Sequence, residues 1–73
     1  MENKIRVLDI DGNALDCQVI KIIENSELKK KYIVYKDTKD IMASQIIVEK
    51  NNYKILPILS EEEWDYIDTN LNI

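Results

Sequence analysis

Apolar and polar positions alternate with a period close to two along most of the chain and take up a helical period only after Ser60. Residues 4–10 (KIRVLDI) mix β-branched and apolar side chains and run into Asp11-Gly12-Asn13, a turn signal. Residues 14–24 (ALDCQVIKIIE) predict a long second strand. Its first half sends Leu15, Cys17 and Val19 one way and Asp16 and Gln18 the other; then the phase slips, because Ile20 and Ile22 take the opposite parity. A slip of this kind predicts a β-bulge or a sharp coil near Val19-Ile20. A three-residue loop at Asp11–Asn13 would set Val7 opposite Cys17 and Ile5 opposite Val19, with Leu15 on the same face. A two-residue loop would instead turn Leu8 and Ile10 to that face.

Further strands are predicted over 31–37, 41–49 and 53–59, separated by the polar turns 25–30, 38–40 and 50–52. Pairing Ile22 with Ile33 also brings Ile20 opposite Tyr35. Pro57 has no N–H to give a ladder, so the fifth strand reads as an edge strand or one paired only at its beginning. A helix over 61–71 follows. Ser60 and Glu63 have capping-box spacing, Glu61 to Glu63 complement the helix dipole, and Trp64, Ile67 and Leu71 form a docking stripe with Tyr66 on another side. Connections of six residues or fewer favour pairing in chain order, and they leave no crossover for parallel strands. The expected fold is therefore α+β and mainly β: one domain, an antiparallel meander of about five strands, strongly coiled and packed by one C-terminal helix.

Composition narrows the functional classes. Seventy-three residues make a core that barely offsets its own conformational entropy. One cysteine permits no internal disulfide and fits a reducing compartment. The chain shows no apolar run of membrane-spanning length and no secretory pattern in MENKIRV, so a cytoplasmic protein is expected. A net charge of −4 disfavours general binding to phosphate backbones.

Candidate chemistry is sparse. Cys17 has no histidine anywhere in the chain to activate it, and apolar Leu15 and Val19 flank it, so it reads as a small buried side chain. Glu61, Glu62, Glu63, Asp65 and Asp68 spread around a helix and read as a solvated face. Asp9, Asp11 and Asn13 echo the start of a calcium loop, but Ile20 stands where its closing glutamate belongs. Lys29, Lys30 and Lys31 with Tyr32 and Tyr35 form the one basic and aromatic concentration, although alternation sends the two tyrosines to opposite faces. Trp64 reads as a core anchor. No catalytic, cofactor-binding or metal-ligating residue is assigned, and no cofactor is expected.

Three stretches carry a resemblance: Asp9-Ile10-Asp11-Gly12-Asn13, then Lys31-Tyr32-Ile33-Val34-Tyr35, and above all Leu56-Pro57-Ile58 running into Glu61-Glu62-Glu63-Trp64-Asp65 and Ile67. Together they resemble a bacterial family of unknown function, DUF1292 or UPF0473, over nearly the whole chain. Ile41 to Asn52 departs most from the family pattern. The resemblance implies a small cytosolic bacterial protein and brings no activity, cofactor or catalytic residue to carry over.

The function expected from these features is a non-catalytic protein-interaction or regulatory module. Strands two to four are apolar on both faces, and one short helix covers one of them. Either the sheet coils to bury the other face, or that face meets a protein partner or a second copy. The alternative is an RNA- or ribosome-associated protein using Lys29 to Tyr35. An enzyme is not expected, and neither a membrane nor a small-molecule substrate is indicated.

Overall fold

The computed structural model describes residues 4–37 and 39–71. Five strands, β1 (Lys4–Leu8), β2 (Ala14–Asn25), β3 (Lys30–Asp37), β4 (Asp40–Val48) and β5 (Tyr53–Leu56), precede one helix, α1 (Glu61–Asn70). The strands pair in chain order, and β5 closes on β1 to complete a barrel. The closing pair is parallel, with Val7 opposite Tyr53 and Leu8 opposite Lys54. Strand β5 is thus paired only at the beginning of the predicted 53–59 stretch, as one of the two readings of Pro57 had it; it is not an edge strand, it ends at Leu56, and its parallel pair needs no crossover. In an up-and-down meander with an odd number of strands the first and last run the same way, so closure makes them parallel.

The first hairpin keeps the predicted face but shifts register by two residues. Ile5 lies opposite Cys17 and Val7 opposite Leu15, because the loop spans five residues instead of three. Asp9 causes this. Its Oδ1 accepts the N–H groups of Asp11 and Asn13, both at 2.9 Å, and ends β1 at Leu8. Gly12, at φ +85°, supplies the left-handed position of the turn. The observed register also sets Arg6 directly across from Asp16, where their side chains meet at 2.9 Å.

The phase slip in β2 is a bulge. Val19 pairs with Tyr35 and Lys21 with Val34, leaving Ile20 as the extra residue. Ile22 pairs with Ile33 as expected, whereas Val19 replaces Ile20 opposite Tyr35. One residue is absorbed, so Ile22 returns to the same face as Val19.

Two apolar clusters result. Val7, Cys17, Ile33, Tyr35, Ile46 and Ile55 fill the barrel, with Ile5 and Val19 packed against them. Ile23, Tyr32, Val34, Ile58 and Ile67 form an outer layer under the helix, joined by Ile20, Ala43, Tyr66 and Leu71. The sheet thus buries its second face by coiling upon itself.

Helix α1 docks differently from the expected stripe. Ser60 makes no side-chain cap bond, so the proposed capping box does not form, and Glu63 turns inward. Tyr66, expected to point elsewhere, joins the outer layer and donates from its hydroxyl to the Glu24 carbonyl at 2.9 Å. Trp64 is not a core anchor; it stays 40% exposed while Ile67 is buried. The buried and half-buried positions are 63, 66, 67, 70 and 71, a stripe that keeps the predicted Ile67 and Leu71, replaces Trp64 by Glu63 and adds Tyr66 and Asn70. Lys21 Nζ donates to the Asn70 carbonyl at 2.6 Å and sets a cation at the negative end of the helix.

Ile33 sits at 0% exposure in the barrel interior, whereas Leu59 is 87% exposed. Ile33→Ala should lower stability by about 2–5 kcal/mol, and Leu59→Ala by less than ~0.5 kcal/mol. Urea unfolding followed by circular dichroism would check both. Equal midpoints for the two variants would contradict the closed barrel.

Candidate functional site

Helix α1 and the first half of β4 do not meet edge to edge. Between them runs an apolar groove of about 540 Å³. Ile41, Met42 and Ala43 form one wall, Trp64, Ile67 and Leu71 the other, and Val34, Pro57 and Ile58 complete the lining. Ser44 and Asp68 are its polar members. The Ser44 hydroxyl already shares a 3.4 Å contact with the Tyr35 hydroxyl, so Asp68 is the one charge in the lining. The Trp64 indole N–H donates to the Ile58 carbonyl at 3.1 Å, which holds the ring at the groove margin. Ile41 is 59% and Met42 44% exposed. A continuous patch of this kind is larger than scattered surface residues would make.

Beside this groove lies a buried polar clamp. Glu63 Oε1 accepts from Lys30 Nζ at 2.8 Å and from the Tyr32 hydroxyl at 2.9 Å, tying the first turn of the helix to β3. Lys30, and next to it the Tyr32 hydroxyl, hold the Glu63 carboxyl below the usual carboxylate range. Burial, followed by Glu63 itself, pushes the Tyr32 phenol up. The carboxylate satisfies the buried Tyr32 hydroxyl and pairs with the partly exposed Lys30, which explains why it points inward and not at the helix cap.

The other candidates fall apart as sites. Cys17 is buried inside the barrel, and burial, then Asp37 and Asp16, push its thiol up, away from the nucleophilic thiolate. Asp9, Asp11 and Asn13 make the hairpin turn described above. Glu61, Glu62, Asp65 and Asp68 are exposed around α1, separate from Glu63. No group of three or more His, Cys, Asp or Glu side chains comes together among the described residues to hold a metal ion. Tyr32 and Tyr35 are buried in different clusters, so neither can stack on a base. Lys29, Lys30 and Lys31 border a shallow pocket with β4, and Lys30 is engaged by Glu63. No described helix is long and apolar enough to cross a membrane.

Sequence reading missed the groove. Its residues are apolar positions in four separate segments, and the gap they line depends on how deeply the helix docks against the sheet. Pro57 was the available signal, since it marks where β5 stops covering β4.

A closed five-stranded barrel with one helix on its outer face defines the class. The chain belongs to the family described as protein of unknown function (DUF1292), whose model matches residues 11–72. It is 35% identical to the UPF0473 protein YrzB of Bacillus subtilis, with 97% of this chain and 86% of that protein aligned. UPF0473 proteins of Bacillus velezensis and Bacillus pumilus are 31% and 30% identical, again over 97% of this chain and over 86% and 84% of theirs. No solved structure matches the chain. The family has no characterised function, and nothing in these relatives indicates catalysis.

Because the Glu63 carboxyl is held low, its bonds contribute fully above the unfolded-state value of about 4.3. They are lost as pH falls through the lower folded value. Glu63→Gln should therefore lower the urea midpoint at pH 7 and differ less from wild type at pH 2.5. Parallel pH dependences of the two midpoints would refute the role of this carboxylate.

Proposed function

We propose that this chain is a non-catalytic protein-interaction module, cytosolic and of regulatory type, whose contact surface is the groove between β4 and α1. The observation that carries the reading is the groove itself: about 540 Å³, almost wholly apolar, with an aromatic ring exposed on its wall. Water against such a surface is displaced favourably by apolar side chains, and tryptophan in a partly formed pocket is a common energetic anchor of interfaces. Ser44 and Asp68 make no pair of activated nucleophile and base, which favours docking over chemistry. A single unpaired Cys17 fits a reducing setting.

The RNA reading has less support. Both tyrosines needed for stacking are buried, Lys30 is held by Glu63, and the net charge is −4.

A photo-crosslinking side chain placed at Met42 should capture a partner in host lysate that the same group at Asp16, on an exposed stretch of β2, does not. The captured protein, once purified, should bind wild type and lose at least about tenfold in affinity for Trp64→Glu. Equal capture from both positions, or affinity unchanged by Trp64→Glu, would contradict the proposal.

A further inference from the structure

The ladder between β4 and β5 covers Gln45 to Val48 and stops there. Continuing its register would set Ser44 opposite Pro57, which has no N–H to pair and whose ring obstructs further pairing. Chain 57–60 then leaves for the helix. As a result Asp40–Ser44 is paired with β3 on one side only and has no strand partner on the other among the described residues. In an antiparallel strand alternate residues turn both N–H and C=O to a given side, so this stretch turns a short row of backbone donors and acceptors away from β3, on the side where no strand pairs. Folds that protect such an edge use a bulge, an inward charge or a covering loop. This one leaves Ile41 and Met42 exposed and opens the edge onto an apolar groove.

We infer that the groove takes an extended peptide segment of a partner protein, added as a strand to the Asp40–Ser44 edge, with apolar residues at alternate positions and a basic residue toward α1. This rests on reading the groove as a docking surface and names its occupant. The unpaired backbone asks for an extended main chain, which a helix or a folded apolar patch cannot supply. Side chains of the added strand that fall on the helix side meet Ala43, Ile67 and Leu71, so every second residue must be apolar. The helix carries the exposed charges Glu61, Glu62, Asp65 and Asp68, of which Asp68 lines the groove, and it has no basic residue in its last turn. A lysine or arginine on that flank is therefore complementary. The same charges argue against a second copy: two-fold pairing of β4 edges would bring two acidic helix faces toward each other.

A displayed library of random heptapeptides, panned on the folded protein, tests this. Enriched sequences should alternate apolar residues beside a Lys or Arg, and should shift the amide resonances of residues 40–44. N-methylation of alternate backbone amides in the best peptide should weaken binding at least about tenfold. Asp68→Lys, an exposed change, should weaken it several-fold while a glutamate-flanked analogue gains. Peptides that map to the groove yet tolerate N-methylation overturn strand addition and leave the interaction reading standing. Enrichment of helical or acidic sequences overturns the partner chemistry. Absence of enrichment overturns the inference, while the Met42 crosslink separately decides the broader reading.

Discussion

Strands β2 and β3 are apolar on both faces, and a chain of this length can hide both only by curling its sheet into a tube. That constraint organises the structure. Closure gives the inward face a core of its own, around Ile33 and Tyr35, and frees the outward face for a separate layer around Tyr32, Val34 and Ile67. The bulge at Ile20 is the local device that makes the curl possible. It bends β2, changes its parity, and lets one strand feed the interior through Cys17 and Val19 and the outer layer through Ile20 and Ile23.

The helix completes the second layer, and its attachment is polar as well as apolar. Glu63 clamps the first turn to Lys30 and Tyr32, while Lys21 holds the last turn through the Asn70 carbonyl. These two anchors lie at opposite ends and set the depth of the helix against the sheet. Tyr66 packs beside Tyr32, with ring centroids 6.4 Å apart, and fills the space between them. Trp64, one position round the helix from Glu63, is consequently carried to the rim instead of the core.

Much of this was legible in alternation. The five strands, the C-terminal helix, the irregularity at Val19-Ile20 and the opposite facing of Tyr32 and Tyr35 all follow from period and parity, which depend on local residues. What was not legible depended on competition between partners. The hairpin register turned on whether Asp9 would spend its carboxylate on the turn, and the capping box failed because Glu63 had better donors across the sheet. Barrel closure required counting strands modulo two, a global property that no single segment displays. For the candidate site the burial of Cys17 and the opposite facing of the two tyrosines were readable from residue type and parity, whereas the inward turn of Glu63 was not. The groove was not, because it is a gap between elements.

Pro57 joins the architecture to the proposed function. A strand-forming residue there would extend the β4–β5 ladder by one pair, to Ser44, and shorten the open edge. Its place at the end of β5 means that a small domain with little stability to spare leaves one side of Asp40–Ser44 without a ladder. An edge of this kind invites indiscriminate pairing, and the fold limits that hazard by its shortness, by Asp40 at its start and by the acidic helix wall beside it. On the proposed reading, those limits suit a short, extended segment that is cationic on one flank. Among the described residues, both faces of the sheet are thus buried, one inside the barrel and one under the helix, and the proposed contact rests on the stretch of strand edge at Asp40–Ser44 where a proline ends the β5 ladder.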